Sequence, residues 1–205
     1  MLSVAGDAGL PAHRTDEYLQ AARLAVESGR VELELDLTPG IAIAETIIND
    51  IDRDRDGSLS AEEQRAYAGV VLRALALDVD GSPLRPELTA ATFAAVDAIR
   101  RGEGAIRLHA AATLPRLSSG VHHLSFRNRH HPDGSVYLAN ALVPASDRVS
   151  VTAQRRDDTQ TELTIDYVLR AAPAGSTAAW LLGAAAAVTL LSALMIHSRR
   201  AIGYH

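Results

Sequence analysis

The stretch RVELELDL, Arg30 to Leu37, alternates without a break, with Val31, Leu33, Leu35 and Leu37 on one side and Glu32, Glu34 and Asp36 on the other. A period of two places the four apolar side chains on one face of a strand and the three acids on the opposite face. Upstream, Tyr18 to Val26 is joined to it through Glu27-Ser28-Gly29, a connection of hairpin length. That upstream run is Ala- and Leu-rich, so it reads either as the partner strand or as a short helix. Further strands are expected at Leu75 to Val79, Ala105 to Leu114, His122 to Asn128, Ser135 to Val143, Val149 to Gln154 and Glu162 to Leu169. Turn residues separate them, among them Asp80-Gly81, Ser118-Ser119-Gly120 and Pro132-Asp133-Gly134. Short strands at a spacing of roughly ten residues indicate an antiparallel β-sandwich. Ala90 to Arg101 reads weakly as a helix.

Two helical patterns interrupt the strands, and they frame a second stretch, DRDRDGSLSAEE, Asp52 to Glu63. The first helix is expected from about Ile41 to Ile51, with Ile47, Ile48 and Ile51 on one face. The second runs from about Ala61 to Ala74, with Tyr67, Val70, Val71 and Ala74 at helical spacing. Between them three Asp recur at every second position, Gly57 follows, and Glu63 stands eleven residues after Asp52. Alternate side chains of a tightly wound loop converge on one point, and a Glu in the first helical turn can reach back to it. Hard divalent cations want such oxygens, six to eight of them at about 2.3–2.6 Å for Ca²⁺. Ser60 with Glu63 is at the same time a capping box, able to start a helix with no metal present. The two readings use the same residues and are compatible.

The stretch resembles the EF-hand calcium-binding loop over all twelve positions. The resemblance implies Ca²⁺ ligands at Asp52, Asp54 and Asp56, the backbone carbonyl of Ser58, the hydroxyl of Ser60 or a bridging water, and a bidentate Glu63. Gly57 stands where the chain must turn sharply, and Arg53 and Arg55 point outward. EF-hands usually pair, and this sequence offers no second loop: eleven residues after Asp78 stands Thr89, and Asp80-Gly81 reads as a hairpin turn. A lone hand implies weak affinity, with Kd roughly 10⁻⁴–10⁻³ M, suited to a structural or modulating site outside the cell.

Size and composition narrow the rest. The chain has 205 residues, 4% aromatics, a formal charge of −5 and no Cys. That size supports one ordinary core. The mild negative charge argues against nucleic-acid binding, and the lack of Cys excludes disulfides, thiolate zinc sites and a Cys nucleophile. No phosphate-cradling Gly loop, G-x-S-x-G or H-E-x-x-H is present, so no enzyme is expected.

From Ala178 to Ile196 the chain reads AAWLLGAAAAVTLLSALMI, nineteen residues without a charge. As a helix this spans about 28 Å, close to the hydrocarbon core of a bilayer. Trp180 near one end and Arg199 and Arg200 beyond the other suit a transmembrane helix over 178–197, with 198–205 as a cytoplasmic tail. A buried Ala-rich helix is the rival reading. Residues 171–177 read as a linker, and 13–170 as a β-rich domain outside the cytoplasm containing the helix–loop–helix unit 41–74. The expected architecture is thus α+β: a mainly antiparallel β-sandwich with an inserted EF-hand-like unit and a single C-terminal membrane helix. Export would be directed by an upstream signal peptide, leaving 1–12 as a remnant or a disordered lead, or by the tail helix itself. The partners expected are the lipid bilayer and another membrane or surface protein.

Six of the eight His fall in 13–170, and His13, His130 and His131 are candidates for a second, transition-metal site. His122 and His123, adjacent on a strand, should point to opposite faces. A weaker resemblance, carried by RVELELDL leading into a helix, by the acidic loop and by ALALDVDGSPL (Ala74 to Leu84), is to the extracytoplasmic part of bacterial nickel/cobalt-permease-like proteins. It implies an alternative role, an accessory domain handling Ni, Co or Cu beside a transporter. Those permeases carry several membrane helices where one is expected here.

Overall fold

The alternating stretch forms β2 (Arg30–Pro39), and Val31, Leu33, Leu35 and Leu37 are all buried. The helical alternative for the upstream run does not hold: Tyr18–Val26 is strand β1, paired antiparallel with β2 from Tyr18↔Pro39 to Val26↔Val31. Cross-strand pairing outweighs the helix propensity of its Ala and Leu residues. The acids of β2 face outward and are paired, Glu34 and Asp36 with Arg23 at 2.9 Å each.

The computed structural model describes residues 16–172, which lie almost wholly in a compact unit ending at Arg170. After β2 come α1 (Ile41–Ile51), α2 (Ala61–Arg73), β3 (Leu75–Val79), β4 (Ser82–Leu84), β5 (Glu87–Phe93), α3 (Val96–Arg100) and β6 (Ile106–Thr113). Then follow β7 (Gly120–Asn128), β8 (Ser135–Ala141), β9 (Val149–Arg156) and β10 (Glu162–Leu169). The described residues thus form a mainly β α+β fold of two five-stranded sheets, ordered β5-β6-β2-β1-β8 and β4-β3-β7-β10-β9. All pairings are antiparallel except β1 with β8, which is parallel. One apolar core draws on both sheets and on α1 and α2, through Ile47, Ile51, Tyr67, Ala68 and Val71. No helix among the described residues is long and apolar enough to cross a membrane, and 178–197 lies outside them.

Two expectations change. Ala90 to Arg101 is not one helix: Ala90 to Phe93 belong to β5, laddered on β6, and only Val96–Arg100 coils. Pairing with His109, Leu108, Arg107 and Ile106 fixes those residues as extended. The short strand β4 is an addition. It folds back on β3 across Asp80-Gly81, whose φ values of 50° and 78° give the two-residue turn that matches strand twist.

The segment joining β7 to β8 crosses between the sheets and is tied down by buried polar groups. Gln20 of β1 donates to the His130 carbonyl and to Ser135 Oγ, both at 2.8 Å, and accepts from Asn128 Nδ2 at 2.9 Å. Tyr137 donates to the same His130 carbonyl at 2.8 Å. The hydroxyls of Tyr18 and Tyr67 lie 2.8 Å apart, and that of Tyr67 lies 3.1 Å from His130 Nε2. Burial and the neighbouring His131 push the His130 imidazole down to about 4 from its ordinary value near 6.5. The unfolded chain therefore takes up a proton below about pH 6.5 that the folded chain refuses until about pH 4. Stability should fall through that window by on the order of 3 kcal/mol and level off below it. Urea midpoints measured from pH 7 to 4 should fall more steeply for the wild type than for His130→Gln; equal slopes would contradict the assignment.

Candidate metal centre

α1 ends where its apolar stripe ends, with Ala44, Ile47, Ile48 and Ile51 buried, and Asp52 closes it by donating its amide to Ile48 O at 2.7 Å. The chain then winds around its own acids. Asp52 accepts from the amides of Asp56 at 3.2 Å and Gly57 at 2.9 Å. Asp54 accepts from the Asp56 amide at 3.2 Å, and Asp56 from the Ser58 amide at 2.7 Å. This winding needs left-handed backbone at two residues, Arg55 with φ 62° and Gly57 with φ 82°. A Cβ at Gly57 would meet nothing within 4 Å, so glycine is favoured there by conformation and not by space.

Ser60 is the N-cap of α2, and the capping box is complete. Glu63 Oε2 accepts from the Ser60 amide at 2.9 Å and hydroxyl at 2.8 Å. Its other oxygen reaches across the loop and accepts from the Arg53 amide at 2.7 Å. Leu59 turns inward and packs against a small cluster of Ala44, Ile48 and Ile99, which Ala94 and Val96 border. The α3 turn can come this close because residue 104 is glycine; a Cβ there would lie 2.7 Å from the Ile99 amide nitrogen. This brace, built from α1, α3 and Ala94 just before α3, was not legible from the sequence.

The loop gathers three of the four carboxylates expected as ligands, Asp52, Asp54, Asp56 and Glu63. One oxygen each from Asp52, Asp54 and Glu63 lie within 4.8 Å of one another, with Asp52 and Glu63 buried and Asp54 exposed. Asp56 is exposed and turned to the Ser58 amide, outside that trio. No Arg or His side chain forms an ion pair with any of these four acids among the described residues. Desolvation and neighbouring negative charge act together on Asp54. The Asp56 amide pulls its pKa down, but desolvation, the charges of Asp56 and Glu63 and the contact with Asp52 outweigh it and leave the pKa raised. Glu63 goes the other way, held below the usual carboxylate range by the Ser60 hydroxyl and amide and by the amides of Arg53 and Asp54. Three converging carboxylates, one at the end of a helix that anchors it, are the donor set a hard divalent ion takes. The remaining oxygens of a full shell would come from Asp56, the Ser58 carbonyl, Ser60 and water.

The histidines are placed otherwise. The rings of His130 and His131 meet edge to face at 4.9 Å, but His130 Nε2 is engaged by Tyr67 and His131 Nε2 by Asp50 Oδ2 at 2.9 Å. His13 lies outside the described residues. His122 is buried between Asp80 Oδ2 at 2.7 Å and the Ser118 carbonyl at 2.8 Å, while its neighbour His123 faces out onto Asp166 at 2.7 Å. The two thus point to opposite faces of β7.

No protein-family model, no curated protein and no solved structure matches the chain.

Ser60→Ala removes both hydroxyl contacts with Glu63 and should destabilise the fold by about 1 kcal/mol. Urea unfolding of the full chain in chelator measures this directly, and an unchanged midpoint would contradict the capping role.

Proposed function

We propose that this chain is a calcium-binding protein whose single EF-hand-like loop, Asp52 to Glu63, holds the ion. The observation that supports the reading is the convergence of Asp52, Asp54 and Glu63 within 4.8 Å in a loop flanked by two helices, with no ion pair to a cationic side chain among the described residues. On this reading the two sheets form a β-sandwich, and the loop is an insertion between strands of its opposite halves, β2 and β3. The resemblance of the loop to the EF-hand selects Ca²⁺ among hard cations. The apolar run 178–197 anchors the chain in a membrane, and 13–170 lies outside the cytoplasm, where Ca²⁺ is abundant enough for a weak site. There the ion would stabilise the domain or tune its contact with another surface protein.

Linkage sets the expected size of the effect. An ion that binds only the folded form stabilises it by about 1.4 kcal/mol at ten times its Kd. For a chain of this size that raises the melting temperature by roughly 3–6 °C. The full chain in mild detergent should therefore melt higher in millimolar Ca²⁺ than in chelator, and Glu63→Gln should lose the shift. No shift in the wild type, or an equal shift in Glu63→Gln, would count against the proposal. A larger shift with Ni²⁺ than with Ca²⁺ would favour the metal-handling alternative.

A further inference from the structure

Beside the acidic loop lies a cavity of about 480 Å³, walled by α2, by Arg53 of the loop and by the segment from Arg129 to Pro132 that joins β7 to β8. Its charges are uneven. Arg53 and Arg129 both line it, and neither forms an ion pair among the described residues. The cavity's one carboxylate, Asp50, is occupied by His131 Nε2 at 2.9 Å. Two guanidinium groups therefore border a space whose one carboxylate is bonded to His131 and makes no ion pair with either of them.

Proton counting adds a third donor. The Tyr18 hydroxyl has Tyr67 as its only partner among the described residues, at 2.8 Å, so its proton goes there. The Tyr67 proton then goes to His130 Nε2 at 3.1 Å, which makes that nitrogen an acceptor. The ring proton of neutral His130 is left on Nδ1, which has no partner among the described residues, on a ring that lines the cavity. Val70, Ala74 and Pro132 supply apolar wall. Arg guanidinium groups suit planar and tetrahedral oxyanions equally, and concavities of this size hold small organic ligands against apolar walls with a few placed polar groups.

We infer that this cavity binds a small organic oxyanion, a carboxylate or phosphate carried on a short apolar body, with Arg53 and Arg129 holding the oxygens and His130 Nδ1 donating beside them. Inorganic anions satisfy the guanidinium groups but leave the apolar wall bare, so they should bind more weakly. The site does not depend on the cation in the neighbouring loop.

The test is calorimetric titration of the full chain in chelator with benzoate, phenyl phosphate and inorganic phosphate. Saturable binding of benzoate or phenyl phosphate is expected, and whichever binds tighter identifies the head group. The double variant Arg53→Gln, Arg129→Gln should lose about tenfold or more in affinity while its melting temperature stays unchanged. Arg85→Gln, which removes an arginine outside the cavity, should bind as the wild type does. No saturation with either organic anion, wild-type affinity in the double variant, or inorganic phosphate binding as tightly as phenyl phosphate would overturn the proposal.

Discussion

Glu63 ties the two ends of the acidic loop to each other. One carboxylate oxygen takes the amide and hydroxyl of Ser60, where α2 begins, and the other takes the amide of Arg53, directly after α1 ends. Hydrogen bonds to an ionised carboxylate are among the stronger ones a protein makes, and here they set the separation of two helices whose inner faces enter the main core. The same carboxylate belongs to the trio that would close on a cation. Glu63 is thus held in place for reasons of folding before any ion arrives, which lowers the cost of assembling a site. The left-handed backbone of Arg55 works against this, since a non-glycine residue there stores strain of order 1 kcal/mol. A bound divalent ion would offset that strain along with the mutual repulsion of the acids.

The acidic loop is braced from two sides. The apolar residue at the middle of the loop, Leu59, packs on Ile99 and Ile48, so the short α3 turn braces the loop from one side. On the other side, Tyr67 of α2 joins the chain of hydrogen bonds through Tyr18 and His130 that pins the β7–β8 crossover. One helix therefore carries one of the three converging carboxylates in its first turn and, one turn later, a wall of the cavity lined by Arg53 and Arg129.

Much of the β framework was legible because it rests on local pattern. Strict alternation in Arg30 to Leu37 needs only a core on one side, and Asp80-Gly81 marks a tight hairpin because glycine and aspartate tolerate positive φ. The helix boundaries around the loop were legible for a similar reason, since Ser60 and Glu63 form a cap from residues three apart. Ala90 to Phe93 misread as helix because alanine is a strong helix former, and nothing within the segment announces that β6 will pair with it. The Tyr18–Tyr67–His130 chain was invisible for the same reason: its members lie 49 and 63 residues apart and are joined only by the fold. Asp56 was expected among the ligands from the resemblance to the EF-hand loop. One of its carboxylate oxygens accepts from the amide of Ser58, two residues on, a local bond that the pattern of acids does not announce.

The central claim is that the loop closes on a hard divalent ion, and a crystal structure grown in millimolar calcium chloride, with anomalous data collected at long wavelength, tests it most directly. The account predicts an anomalous peak among Asp52, Asp54 and Glu63, ringed by six to eight oxygens at about 2.3–2.6 Å. A loop with no such peak, with Glu63 still bonded to Ser60 and Arg53, would contradict it and leave an ordinary capped helix in its place.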